Sequence, residues 1–139
     1  QAKTWGLSKT VFTDVTGIDE KNVTTGREFV TVFQKTTENI DLRTILGVKE
    51  YAYEELLDKD KKPHHSDVNS NALTKKTTLP YTIIASKTGY LDEAGAGLAM
   101  LVERKSDSKH FTIITMGNPD YPNRFVEPEK IAAWAMQNF

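Results

Sequence analysis

Lys87, Thr88 and Gly89 stand in a row on a run of residues suited to a β-strand, and together they offer a definite chemistry. The lysine gives a point charge and the threonine a hydroxyl donor, so the pair suits a carboxylate. Gly89 has no side chain, which lets a ligand backbone lie close against the strand. An extended peptide can then add along the strand as one more strand. All three residue types are common, so the tripeptide alone reads more often as a solvated strand end.

The elements that must position this tripeptide are legible around it. Tyr81 to Ala85 is a β-branched and aromatic run, and Ser86 to Tyr90 continue it without a break. Leu91 to Gly95 is short, polar and ends in glycine, as a tight connection does, and Gly97 to Glu103 follows as a second strand. Lys105 to Lys109 reads as a polar hairpin turn, and Phe111 to Gly117 as a third strand antiparallel to the second. Pro128 suits the first position of a closing helix whose apolar face is Ile131, Ala132, Trp134, Ala135 and Phe139.

Upstream, Gly6 suits the end of a helix whose Trp5 and Leu7 pack inward, and Gly17 suits a turn. Thr24 or Thr25 can cap a helix, and Thr25 with Glu28 has the spacing of a reciprocal cap. Phe29, Val30, Val32 and Phe33 form one face of that helix, with Arg27 and Glu28 as a surface pair. Asp41 to Leu46 is a second short helix, and Val48 to Tyr53 an edge strand. Glu54 to Pro63, with its charged run from Asp58 to Lys62, reads as a solvated loop or hairpin tip. His64, His65 and Asp67 invite a metal reading, but adjacent histidines on a strand point to opposite faces and a third ligand is missing, so neither metal nor cofactor is expected. Asn69 and Asn71 suit turns and local caps before a helical turn at Ala72 and Leu73.

Composition narrows the classes further. A chain of 139 residues makes one domain with a real core. A net charge of −1 offers nucleic acid no bulk attraction. With no cysteine there are no disulfides and no thiolate metal sites. No stretch has the length of a membrane-spanning helix or the pattern of a signal peptide, and the start at Gln1 reads as a mature or trimmed fragment.

The stretch SKTGYLDEAGAGLAMLVER, from Ser86 to Arg104, resembles the K-T-G segment of the D-alanyl-D-alanine carboxypeptidases, the S11 peptidase group of low-molecular-mass penicillin-binding proteins. VFTDVTGID from Val11, NVTTGRE from Asn22, NSNAL from Asn69 and the closing WAMQNF from Trp134 resemble further segments of that family, in the same order. The resemblance implies an α/β fold of α+β type: a partial β-lactamase/transpeptidase-like fold with antiparallel sheet strands, a C-terminal helix packed on the sheet and N-terminal helices. Residues 1–139 are then the C-terminal part of a catalytic domain. In the mechanism it implies, a serine attacks the terminal peptide bond of a cell-wall stem peptide ending in D-Ala-D-Ala, an acyl-enzyme forms, and water hydrolyses it. β-Lactams acylate the same serine. Lys87 sets the electrostatics beside it, Thr88 donates to the terminal carboxylate, Gly89 gives the strand its clearance, and the backbone N–H of Tyr90 is one of two oxyanion donors. Ser70 stands where some relatives carry an arginine for the carboxylate, and Lys75 and Lys76 are nearby in sequence. The implied location is extracytoplasmic, in a bacterial envelope, with any membrane anchor left open.

The chain carries no S-x-x-K where the nucleophile belongs. Ser106 to Lys109 matches the letters but falls in a turn after K-T-G. Two expectations follow. The chain alone is inactive, and one face of its sheet is left bare, to be covered by an N-terminal half or by self-association. The competing readings are a non-catalytic peptide- or glycan-binding module that lacks the serine, and a structural domain with K-T-G at its surface.

Overall fold

The computed structural model describes residues 1–56, 61 and 64–139. Its centre is a three-stranded antiparallel sheet of β3 (Tyr81–Leu91), β4 (Gly95–Arg104) and β5 (His110–Asn118), in that spatial order. Before it come α1 (Gly26–Glu38), α2 (Ile40–Gly47) and a separate antiparallel ribbon of β1 (Glu50–Glu54) and β2 (His64–Val68); α3 (Val126–Asn138) closes the chain. The run Val48 to Tyr53 thus edges this ribbon and not the main sheet. The charged run from Asp58 to Lys62 lies outside the described residues except for Lys61.

The middle strand explains how the layers stack. Leu98, Met100 and Val102 are buried on one face of β4 and Ala99 on the other, as period-two alternation requires when both faces are covered. The first face packs with Tyr81, Ile113 and Leu73 against Ala132, Ala135 and Met136 of α3. On the second face the fully buried sheet residues are small: Ala85 and Ala99, flanked by the partly buried Leu101 and Ile114, leave room for Phe33 and Phe29 of α1 and Leu46 of α2. The expected bare face is therefore covered in part by α1 and α2. Apolar surface remains on α2 itself, where Ile40 and Ile45 are more than half exposed.

Three local expectations need correction. Thr25 does cap α1, its hydroxyl accepting from the Glu28 N–H at 3.2 Å. Glu28 does not close the reciprocal bond or pair with Arg27. Its carboxylate accepts from the Lys9 N–H and from the Thr10 hydroxyl at 2.6 Å, which pins the N-terminal segment to the start of α1. These bonds, that of Thr10 first, hold its pKa below the usual carboxylate value. In α3, Pro128 is the third residue, where its missing N–H would have had no partner inside the helix in any case. The buried stripe of α3 is Pro128, Ala132, Ala135 and Met136, at the i, i+4, i+7, i+8 spacing of one helical face. Trp134 and Phe139 fall off that stripe and stack edge to face in solvent, at 5.3 Å between ring centroids. Near the N-terminus the expectation holds for Leu7, which is buried, while Trp5 is only half-buried beside the left-handed Gly6.

The seat of α2 on β3 depends on Gly47. A Cβ built there lies 2.5 Å from the Ile84 carbonyl oxygen, closer than any real contact allows. Alanine is the better helix former by about 1 kcal/mol, while overpacking of this kind costs about 1–3 kcal/mol. Gly47→Ala is therefore expected to lower the urea unfolding midpoint. A raised or unchanged midpoint would show that α2 does not rest on β3 as described.

Candidate functional site

The site is built by two asparagines and one strand edge. Asn69 donates from its side-chain amide to the Val48 carbonyl at 2.8 Å, its backbone N–H donates to the Lys49 carbonyl, and its side-chain oxygen accepts from the Asn71 N–H at 2.9 Å. Asn71 is fully buried, and its side-chain oxygen accepts from the Leu73 N–H, starting the 3₁₀ turn Ala72–Lys75. Asn and Asp side chains suit such work because they imitate a backbone carbonyl at short range. With both neighbours fixed, Ser70 is presented to the sheet, and its hydroxyl lies 2.6 Å from that of Thr88.

Lys87, Thr88, Gly89 and Tyr90 run side by side along β3 and line one cavity of about 250 Å³ with Phe29 of α1 and Leu98 of β4. The register pairs Gly89 with Gly97, and a Cβ built on Gly89 meets nothing within 4 Å, so the floor is open there. The Lys87 ammonium donates to the Thr88 carbonyl at 2.5 Å, which holds the charge at this end of the strand. Of two hydroxyls sharing one hydrogen bond, one keeps a proton to donate outward, so the Ser70–Thr88 pair offers a hydroxyl donor, and Lys87, the preceding residue of the strand, a cation. A carboxylate, which only accepts, is the natural counterpart.

The structure thus brings Lys87, Thr88, Gly89, Tyr90 and Ser70 together, Ser70 through its bond to Thr88. It does not bring in Lys75 or Lys76. Lys76 is ion-paired with Glu129 at 2.6 Å, and both lysines line a different cavity. Ser106 sits in the β4–β5 turn, beside the end of β3 where Tyr81 pairs with Arg104. Six residues of strand, roughly 20 Å, separate that end from Lys87. Ser86 is buried and pairs with Met100 on the α3 face, so it is turned away from Lys87. His64 and His65 stand on β2, next to Glu54 at 2.7 Å and Glu55 at 3.0 Å respectively.

Tyr121 and Arg124 are the neighbours that sequence reasoning passes over. The Tyr121 ring meets Tyr90 edge-on at 4.6 Å, and the Arg124 guanidinium lies 3.7 Å above Tyr121. The Tyr90 hydroxyl donates to Asp92 at 2.6 Å; that bond, and then the charge of Asp92, raise the phenol's pKa. The first two contacts tie the ring of Tyr90 to the segment that follows β5. They arise in a proline-interrupted loop far along the chain, for which no periodicity exists to read.

The frame predicts its own weak point. Asn71→Ala removes the cap of the 3₁₀ turn in a buried position and should cost about 1–2 kcal/mol. It should also release Ser70, seen as a change in the Thr88 amide resonance. An unaltered Thr88 resonance would show that Asn71 does not set the position of Ser70.

The profile of the D-alanyl-D-alanine carboxypeptidase family, peptidase S11, matches residues 1–119. No curated protein matches the chain. Among solved structures it is similar to a D-alanyl-D-alanine carboxypeptidase from Mycobacterium tuberculosis, with 18% identity and a TM-score of 0.73 over 96% of this chain and 48% of the other. It is also similar to a mutant of a Streptomyces DD-transpeptidase, with 22% identity and a TM-score of 0.81 over 98% of this chain and 51% of the other. The chain spans about half the length of these structures and shares their β-lactamase/transpeptidase fold over that half. With its profile matched from residue 1 to residue 119, the chain belongs to the S11 family of D-alanyl-D-alanine carboxypeptidases.

Proposed function

We propose that this chain is the C-terminal part of a penicillin-binding D-alanyl-D-alanine carboxypeptidase, which hydrolyses peptidoglycan stem peptides through a serine acyl-enzyme. The chain supplies the carboxylate-binding strand of the site. A segment outside it supplies the serine of S-x-x-K, on the cavity side of Lys87. The observation that carries this reading is the Ser70–Thr88 hydroxyl pair at 2.6 Å, set beside Lys87 at an open glycine floor.

Each residue then has a physical role. Lys87 places a cation where the attacking serine and the peptide's terminal carboxylate both gain from its charge. Thr88, oriented by Ser70, donates to the carboxylate. An arginine fork there would grip both oxygens, so the hydroxyl pair gives a weaker hold. Gly89 lets the peptide backbone lie against β3, whose side away from β4 carries no strand among the described residues. The backbone N–H of Tyr90 faces the developing oxyanion together with the N–H of the serine. β-Lactams enter as substrates that acylate the same serine. The work belongs outside the cytoplasm, at the bacterial cell wall; among the described residues no helix is long and apolar enough to cross a membrane.

A second reading, a non-catalytic wall-peptide binding module, is favoured by one observation: the only S-x-x-K of the chain lies in the turn after K-T-G. A fluorescent penicillin separates the two. This chain alone should take no label. The polypeptide extended to include an upstream S-x-x-K should label, and Lys87→Ala in it should slow acylation by about a hundredfold or more. Labelling of this chain alone, or unchanged acylation in Lys87→Ala, would contradict the proposal. Binding of a D-Ala-D-Ala peptide by the extended polypeptide, without turnover or label, would establish the binding module in its place.

A further inference from the structure

Tyr90 sits one residue from the end of β3, and the direction of its backbone follows from the ladder of the sheet. The Arg104 N–H donates to the Lys109 carbonyl at 2.8 Å, so the even-numbered residues of β4 turn their backbone groups toward β5 and the odd-numbered ones toward β3. Gly97 and Ala99 therefore bond to Gly89 and Lys87, their register partners. Thr88 and Tyr90 turn N–H and C=O the other way, to an edge with no strand beside it among the described residues. The bond from the Lys87 ammonium to the Thr88 carbonyl agrees with that direction.

Side chains across the pair give this end of β3 little support. Gly89 faces Gly97 and Tyr90 faces Ala96, so neither has a large cross-strand partner. What holds Tyr90 lies outside the sheet. Its hydroxyl donates to Asp92 at 2.6 Å, and its ring meets that of Tyr121 edge-on at 4.6 Å. Tyr121 is itself fixed. The Arg124 guanidinium lies 3.7 Å over its ring and 4.5 Å over that of Phe125, and donates to the Tyr121 carbonyl at 2.8 Å. Phe125 packs against the core under α3. A row of stacked groups thus runs from that core through Phe125, Arg124 and Tyr121 to Tyr90. Asp92 belongs to the turn that follows β3 and moves with it, so the tie to the core runs through Tyr121.

We propose that Tyr121 is a positioning residue: through the ring of Tyr90 it holds the Tyr90 N–H in its outward direction, without touching the ligand itself. The proposal rests on the reading of that N–H as an oxyanion donor. A donor displaced by about 1 Å loses much of its effect on a developing charge. The brace therefore acts on the acylation step and not on the binding that precedes it.

Two measurements test it separately. In this chain, Tyr121→Ala should lower the order of the Gly89, Tyr90 and Leu91 amides in nuclear magnetic relaxation and leave that of Ile83 to Ser86 unchanged. Tyr121→Phe, which keeps the ring, should match the parent. The ring is 43% exposed, so its removal should leave the circular dichroism of the chain as it was. In the polypeptide extended to include an upstream S-x-x-K, Tyr121→Ala should lower the rate constant of acylation by a penicillin about tenfold at an unchanged half-saturating concentration, and Tyr121→Phe should restore it. Unchanged relaxation and rate in Tyr121→Ala would overturn the proposal. So would a loss that Tyr121→Phe does not restore, or a raised half-saturating concentration at an unchanged rate constant, which would make Tyr121 a ligand contact. If the extended parent takes no penicillin at all, the oxyanion reading fails, and the relaxation of the Tyr90 amide then decides for or against the brace by itself.

Discussion

The candidate site rests on one short hydrogen bond between two side chains that are 18 residues apart in sequence, Ser70 and Thr88. Neither residue fixes the bond alone. Thr88 is placed by a strand that pairs with β4 without a break from Ala85 to Leu91, and Ser70 by asparagines on either side whose amides bond to the backbone around it. The side-chain oxygens of both asparagines accept from backbone N–H groups of the loop, which fixes its conformation against the sheet edge. Asn71 is completely enclosed, and its side-chain nitrogen has no partner among the described residues.

The same strand ties the two ends of the domain together. β3 carries the lysine–threonine pair toward one end and Tyr81 at the other. Between them it packs Ala85 under α1, while Tyr81 joins the core under α3. Glycines at 47, 89 and 97 mark places where even a methyl group would meet backbone or fill the floor of the site.

Much of this was legible in the residues. The three strands of the main sheet follow from β-branched runs and short polar turns, and K-T-G marks one end of the first strand. The family resemblance gave the order of segments, the N-terminal helices, the C-terminal helix packed on the sheet and the position of Ser70. Other features were not legible, for physical reasons. That α1 and α2 lie over the second face depends on the smallness of Ala85 and Ala99, and periodicity registers only that they are apolar. The exposure of Trp134 depends on which of two adjacent apolar stripes of α3 meets the sheet, a choice that its sequence leaves balanced. The reach of Glu28 to Lys9 and Thr10, and of Tyr121 to Tyr90, joins loops whose approach only the folded chain defines.

The central claim is that Lys87 and the Ser70–Thr88 pair recognise the free carboxylate at the end of a wall peptide. It is tested most directly by titrating the isotope-labelled chain with a D-Ala-D-Ala peptide and with the same peptide carrying a C-terminal amide. The acid should shift the resonances of Ser70 and of Thr88 to Tyr90, and the amide should leave them in place. Equal shifts from both peptides, or shifts confined to residues away from the Lys87 cavity, would contradict it.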